Sequence, residues 1–224
     1  MTIDSNYQRV ESAIQSHLNA VTRNRDTLIC VAVTKLQSLN DTEVLYQNGC
    51  RHFGENRVEG LLEKKSFFKQ NDITWHFIGS LQTRKVKEVI NKIDYFHSLD
   101  RESLAKEINK RAEKPVSCFV QVNVTGELSK HGISPNELDA FIKTIENYPM
   151  IHVVGLMTMA PIHAQETELR ACFRTLKELQ ESIASQKLSY APCHETSMGM
   201  SRDYPIAIEE GATFIRVGSA LFER

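Results

Sequence analysis

A lysine follows the most apolar segment near the start of the chain. Residues 28–36 read LICVAVTKL, a β-branched run typical of a strand buried on both faces, and Lys35 stands at its end. Because lysine is rarely buried without a partner, the simplest interpretation is that the strand ends in water and that Lys35 is solvated. The alternative is a reactive amine. Burial and nearby positive charge would lower the pKa of such a lysine and supply the neutral form that attacks a carbonyl.

Two Gly/Ser turns near the other end of the chain could bind an anion. They are SMGMS (197–201) and Gly218–Ser219, and Arg216 lies just before the second. Backbone N–H groups at a helix N-terminus, together with a serine hydroxyl, form an anion site. Ordinary turn glycines with capping serines are the alternative interpretation.

Strand and helix patterns alternate along the chain and predict the frame that holds these residues. An amphipathic helix is predicted over 3–23. Helices are also predicted over 101–113, 135–147 and 166–185. The predicted strands are 28–34, 51–54, 73–78, 95–97, 116–123, 152–157, 193–196 and 213–217. About eight repeats in 224 residues favour an α/β fold of the (β/α)8 barrel type. An open doubly wound sheet is the alternative, but the G-x-G-x-x-G turn that usually follows its first strand is missing.

In a barrel, the carboxyl ends of all strands meet at one mouth, and a phosphate site often follows strands 7 and 8. Lys35 and the two turns would therefore face each other. A lysine facing a phosphate site suits a Schiff base with a phosphorylated aldehyde, and pyridoxal 5′-phosphate (PLP) is the leading candidate. A phosphosugar enzyme whose Lys35 forms an imine with its substrate is another possibility.

Composition excludes several other classes of function. The chain has 27 basic and 28 acidic residues, so it has no electrostatic footprint for nucleic acid. The basic segment Lys64–Lys69 is interpreted as a solvated helix face with its phenylalanines turned inward. Five scattered cysteines without a Cys-x-x-Cys pair argue against zinc and dithiol sites and favour a reducing compartment. The polar N-terminus and the lack of a membrane-length apolar run lead us to expect a cytoplasmic protein with no membrane partner.

Eight motifs, spread over nearly the whole chain, resemble the YggS/PROSC family of PLP homeostasis proteins. They are AVTK (32–35), FGENRVEG (53–60), WHFIGSLQTRK (75–85), HSLDR (97–101), VNVTGELSKHGI (122–133), GLMTMAP (155–161), SMGMSRD (197–203) and IRVGSALF (215–222). The resemblance implies a fold-type III barrel like the N-terminal domain of alanine racemase. It would form a single PLP-binding domain over 1–224 that includes the N-terminal helix.

The resemblance also implies roles for particular residues. Lys35 would carry PLP as a Schiff base and Arg216 would face the pyridine nitrogen, while Ser201, Gly218 and Ser219 would hold the phosphate. Asn56 and Met200 would line the pocket. No catalytic residue and no metal ligand is implied. His76 is assigned no catalytic step, and Glu127 with Lys130 is interpreted as a local ion pair that orders a loop.

The function that we expect from the resemblance is PLP (vitamin B6) homeostasis without robust turnover. Racemases of this fold add a second domain that supplies a tyrosine acid/base, and we expect no such domain and a monomer here. PLP, other B6 vitamers and PLP-dependent apo-enzymes are the expected partners. A PLP-dependent amino-acid racemase or weak lyase of fold type III is the alternative. The chain departs from the family pattern at Leu36–Ser38, Arg57 and Thr196, which lie beside the predicted pocket.

Overall fold

The computed structural model describes residues 2–127 and 131–223. Eight parallel strands form a closed barrel in which each strand pairs with the next along the chain and the last pairs with the first. The strands are β1 (Ile29–Val33), β2 (His52–Glu55), β3 (Thr74–Phe77), β4 (Tyr95–Leu99), β5 (Val116–Gln121), β6 (Ile151–Met157), β7 (Glu195–Met200) and β8 (Phe214–Val217). The predicted (β/α)8 barrel is thus confirmed.

Helices connect the strands and cover the outside of the barrel. They are α1 (Ile3–Ala20), α2 (Leu39–Gln47), α3 (Val58–Phe67), α4 (Val86–Val89), α5 (Glu102–Arg111), α6 (Leu138–Ile145), α7 (Glu166–Ser185), α8 (Tyr204–Glu209) and α9 (Ser219–Phe222). Most of the apolar core lies between this helical layer and the strands, and a smaller apolar cluster fills the inside of the barrel. Within the described ranges, no helix combines the length and the apolar character that a membrane span requires.

The first helix packs against the end of the chain. Val10, Ile14 and Leu18 form its buried stripe at helical spacing. The buried Asn6 amide donates hydrogen bonds to the main-chain oxygens of Leu221 and Glu223, which follow the last strand. The N-terminal helix therefore ties the two ends of the described chain together.

The largest error in the predicted strands is at β7, which was expected over 193–196 and is found at Glu195–Met200. Glycine and serine in SMGM suggested a turn. In the structure Ser197 and Met198 are fully buried, and Ser197 is in register with Phe214 of β8. Glycine is needed at position 199 because its φ is +91° and a Cβ there would lie 2.5 Å from the Cβ of Ala207.

The interpretation of 64–69 as a solvated face was wrong. Lys64 is only 3% exposed, and of the two phenylalanines only Phe68 is buried, whereas Phe67 is 44% exposed. Lys64 is buried because its ammonium pairs with Glu55, the last residue of β2, at 3.0 Å. A buried lysine with a carboxylate partner is the exception that the rule on lysine burial allows.

The Glu55–Lys64 pair also holds the end of β1. Thr34 Oγ1 donates a hydrogen bond to the same Glu55 oxygen at 2.5 Å, and Thr34 directly precedes Lys35. Space for the carboxylate depends on Gly60 of α3, since a Cβ at this position would lie 2.9 Å from Glu55 Oε2. The residue before the candidate lysine is thus fixed by a buried polar network that links β1, β2 and α3.

We predict that Lys64→Met destabilises the protein by about 3–5 kcal/mol, because it leaves the Glu55 carboxylate buried without its counter-charge. The double variant Glu55→Met/Lys64→Met should recover a large part of this loss. Lys69→Met, at an exposed position of the same basic segment, is the control and should change stability by less than about 0.5 kcal/mol. Urea unfolding measures all three variants. Equal losses in the single and the double variant would show that the ion pair is not the source of the effect.

Candidate functional site

The residues predicted to form the site all lie at the carboxyl ends of strands. Lys35 follows β1, Asn56 follows β2, and Met200 and Ser201 are at the end of β7. Arg216 lies near the end of β8, and Gly218 and Ser219 follow that strand. Because β8 pairs with both β1 and β7, and β1 pairs with β2, four adjacent strands bring this set to the same end of the barrel. The strand order thus places these positions at one mouth, and their roles in binding stay predictions.

Lys35 lies on an exposed turn that directly follows the buried Thr34. The turn is closed by the Gln37 N–H, which donates to the Thr34 carbonyl at 3.0 Å. Leu36, the next residue, is 82% exposed and has φ of +65°. A left-handed conformation is unfavourable for a leucine, and residues held in it are concentrated at functional sites. The departure from the family pattern at Leu36 therefore coincides with a strained bend beside the candidate lysine.

Arg216 is the charged group buried inside the mouth, with 4% of its surface exposed. Its Nη1 donates to Ser197 Oγ at 2.6 Å, and its Nη2 donates to the Thr158 carbonyl at 2.9 Å. Burial lowers the pKa of Arg216 to about 10, against the opposing effect of Asp203, so the guanidinium stays charged at neutral pH. In the described part of the chain no carboxylate forms an ion pair with it. Guanidinium has five N–H bonds, so donors remain for a ligand.

The loops after β7 and β8 are joined by a serine hydroxyl. Ser201 Oγ accepts hydrogen bonds from the N–H groups of Gly218, at 3.0 Å, and Ala220, at 3.2 Å, where α9 begins. Asp203 Oδ1 accepts from the Met200 N–H at 2.5 Å, which fixes the turn in which Ser201 lies. Burial raises the pKa of Asp203. Main-chain N–H groups and a hydroxyl thus converge at one turn beside the mouth.

The loop that contains Asn56 is packed tightly against the next one. A Cβ on Gly79 would lie 2.3 Å from the Asn56 carbonyl oxygen, so the close approach of these two loops requires glycine at position 79. The Ile78 N–H also donates to the Glu55 carbonyl at 2.8 Å. Asn56 is therefore held rigidly at the mouth, partly exposed.

The sequence interpretation missed a row of histidines inside the barrel. His52, His76 and His97, from β2, β3 and β4, are joined ring to ring at 3.0 and 2.9 Å, and His97 reaches Ser197 Oγ at 2.9 Å. His76 was treated as an isolated strand residue. The available signal was the recurrence of histidine beside phenylalanine in three successive strands, whose alternation places every second residue inside the barrel.

The remaining candidates do not enter this site. The predicted Glu127–Lys130 ion pair involves Lys130, which lies outside the described residues. The main-chain oxygen of Glu127 accepts from the Asn123 amide at 2.9 Å. Among residues 2–127 and 131–223, no group of three or more His, Cys, Asp or Glu side chains could hold a metal ion.

Comparison with known proteins places the chain in a family. The model of the alanine racemase N-terminal domain matches residues 8–223. The chain is 38% identical over 217 residues to the pyridoxal phosphate homeostasis protein of Aquifex aeolicus (strain VF5), covering 96% of this chain and 94% of that protein.

Two solved structures show the same architecture. PipY of Synechococcus elongatus PCC7942, solved with PLP bound, superposes with a TM-score of 0.82 at 30% identity, covering 93% of this chain and 99% of PipY. Alanine racemase from Corynebacterium glutamicum gives a TM-score of 0.67 at 14% identity over 94% of this chain and 60% of the racemase, a likeness in fold alone. The resemblance found in the sequence motifs is therefore confirmed, and the chain belongs to the family of pyridoxal phosphate homeostasis proteins, built on the alanine racemase N-terminal fold.

Proposed function

We propose that this protein binds PLP at the barrel mouth, attached to Lys35 as a Schiff base, and that it serves PLP homeostasis without robust catalytic turnover. The observation that carries the proposal is the buried Arg216 guanidinium on β8, the strand next to the one that ends at Lys35. A charged donor held inside the mouth, with no carboxylate of residues 2–127 or 131–223 paired to it, suits a ligand that brings its own acceptor. The relative PipY, solved with PLP bound, supports the choice of ligand.

The chemistry of the mouth matches the three polar parts of PLP. The bound group supplies an aldehyde that condenses with a primary amine, and Lys35 is an exposed amine at the rim. Arg216 offers N–H donors to a ring nitrogen, and the Ser201 hydroxyl and the Ser219 main chain offer donors to a phosphate, next to the Gly218 N–H that donates to Ser201 Oγ. Asn56 and Met200 would complete the wall. The three groups need no metal ion.

Arg216 also favours a carrier over a catalyst. A guanidinium only donates hydrogen bonds, and a pKa of about 10 keeps it protonated. A ring nitrogen that faces it must accept and therefore stays unprotonated. An unprotonated ring withdraws electrons poorly, which disfavours transamination, whereas a racemase with the same arginine still works when it has a second base. The homeostasis protein of Aquifex aeolicus is likewise not named as an enzyme.

We further propose that residues 1–224 act as one PLP-binding barrel, monomeric and cytoplasmic, that exchanges PLP with other B6 vitamers and with PLP-dependent apo-enzymes. The exposed position of Lys35 supports exchange, because an incoming amine can approach the rim from solvent. None of the five cysteines, all of which lie within the described residues, forms a disulfide, which agrees with a reducing compartment.

We predict that Lys35→Ala abolishes the visible absorbance that PLP gives when bound to the wild-type protein, while the unfolding midpoint of the apo-protein changes little. Borohydride reduction of the wild-type complex should attach a pyridoxyl-phosphate mass to the peptide that contains Lys35. Lys87→Ala, at an exposed position of α4, is the control and should keep the absorbance. Retained absorbance in Lys35→Ala, or a labelled peptide elsewhere, would assign the attachment to another lysine.

We predict that Arg216→Glu changes the spectrum of bound PLP, because a carboxylate would favour protonation of the ring nitrogen. Arg216→Lys, which keeps a donor without acceptor capacity, should preserve an unprotonated ring. Spectra recorded across pH on variants whose folding has been checked by thermal melting test this. The contact between Arg216 and the ring would be refuted if both variants titrated like the wild-type protein.

We predict that incubation of the PLP-loaded protein with common L-amino acids gives no D-isomer and no lyase product above the level of Lys35→Ala. Chiral chromatography measures the first and detection of keto acids the second. Product that accumulates with Lys35 and not with Lys35→Ala would instead establish the racemase or lyase function.

A further inference from the structure

A continuous chain of hydrogen bonds crosses the inside of the barrel. It starts at His52, the first residue of β2, passes through His76 and His97, and reaches Ser197 and then Arg216 near the mouth. The four links measure 3.0, 2.9, 2.9 and 2.6 Å. This hydrogen-bond chain runs from the amino ends of the strands, at one end of the barrel, to the Arg216 guanidinium at the other.

The inner histidines lie among aromatic rings. His76 stacks on Tyr95 with ring centres 4.9 Å apart, and His97 stacks on Phe119 at 4.4 Å. Both imidazoles are fully buried. Burial lowers the pKa of both well below the usual value, and for His97 the charge of Arg216 acts in the same direction.

His52 is the partly exposed end of the chain. Burial lowers the pKa of His52 as well; Asp94 opposes this shift and Arg25 adds to it. With the pKa lowered in all three, the imidazoles of His52, His76 and His97 are neutral at neutral pH. A neutral imidazole has one nitrogen that donates and one that accepts. The hydrogen bonds of such a row can all point toward the mouth or all point away from it. A group at one end that can only donate or only accept decides which.

Arg216 selects the direction. Its Nη1 can only donate, so Ser197 Oγ accepts from it. Within the described residues, the other partner of Ser197 Oγ is His97 Nδ1. The hydroxyl is fully buried, and a buried hydroxyl hydrogen without an acceptor is unfavourable. The Ser197 hydroxyl therefore donates to His97 Nδ1, which must be the unprotonated nitrogen of that ring.

The other two rings are then fixed in turn. With Nδ1 of His97 unprotonated, its Nε2–H donates to His76 Nδ1. His76 then carries its hydrogen on Nε2 and donates to His52 Nδ1. The direction of the whole chain follows from the permanent charge at its upper end.

We infer that Ser197, His97, His76 and His52 form a chain of one direction, with every imidazole neutral and protonated on Nε2, and that these are positioning residues for Arg216. The chain keeps the lone pair of Ser197 available to Nη1, while the Thr158 carbonyl holds Nη2. Two fixed acceptors prevent the guanidinium from turning. The positioning role rests on the proposed function, because it matters only if the remaining donors of Arg216 face a ligand. The direction of the hydrogen-bond chain does not depend on the proposed function.

Nitrogen NMR of the PLP-free protein labelled with 15N-histidine tests the direction at neutral pH. For His52, His76 and His97, assigned through histidine substitutions, we expect a pyridine-type Nδ1 resonance and a pyrrole-type Nε2 resonance. An Nδ1–H tautomer or an imidazolium at any of the three would overturn the inference.

Ser197→Ala tests the link to Arg216. It removes the donor to His97 Nδ1, so the resonances of His97 and His76 should shift toward a mixture of tautomers. Affinity for PLP should fall about tenfold, as expected when a charged donor loses an acceptor. Ser98→Ala is the matched control. Ser98 is equally buried on β4 but donates to the Ile78 carbonyl outside the chain, so neither readout should change.

Unchanged histidine resonances in Ser197→Ala would overturn the inferred direction of the hydrogen-bond chain. Shifted resonances together with unchanged PLP affinity would overturn the positioning role. Ser197→Thr, which restores a hydroxyl, should recover the tautomers. A wild-type protein that shows the expected tautomers but does not bind PLP would refute the proposed function and leave the direction of the chain intact.

Discussion

The structure depends on keeping one guanidinium buried at the mouth of the barrel. Arg216 lies on β8 between β1 and β7, and among the described residues it donates hydrogen bonds to a serine hydroxyl and a main-chain carbonyl rather than to a carboxylate. An ion partner would neutralise the group and occupy the donors that a ligand needs. Neutral acceptors satisfy part of the guanidinium and leave its charge to act on whatever binds in the mouth. This choice of partners separates a binding site from a structural ion pair.

The amine at the rim is controlled by a different kind of contact. Lys35 is exposed, yet the residue before it is tied to a buried carboxylate that is itself paired with a lysine of α3. This network couples β1, β2 and α3 directly beneath the rim. An exposed amine that follows a firmly held residue is well suited to forming and releasing a covalent bond with an aldehyde. Two charged networks, one at Glu55 and one at Arg216, thus hold the strand ends on which the proposed site is built.

Much of the architecture could be predicted because it depends on local patterns. Alternating strand and helix signals fixed the barrel, and strand-end residues could be assigned to the mouth because parallel strands share one direction. Where prediction failed, the deciding contact was not local. Lys64 looked like a surface lysine because its partner Glu55 lies on a strand that packs beneath the helix. Strand β7 was shortened because its small residues suggested a turn, although β8 pairs with them.

The row of histidines inside the barrel could not be predicted from the sequence either, because its contacts also depend on residues that are distant in the chain. Each histidine alone has an ordinary explanation as a buried strand residue, and only the register of β2 against β3 and β3 against β4 brings their rings into contact. The site residues differ from the histidines, because strand order alone groups them at the mouth and the register between strands is not needed. The chemistry of a barrel mouth is thus easier to predict from sequence than the polar contacts inside the barrel.

The central claim is that Arg216 donates a hydrogen bond to the ring nitrogen of bound PLP, and nitrogen NMR of the protein loaded with ring-15N-labelled PLP tests it most directly. We expect the resonance of an unprotonated pyridine that accepts a hydrogen bond, and we expect replacement of Arg216 by glutamate to remove it. A pyridinium resonance in the wild-type protein at neutral pH would contradict it.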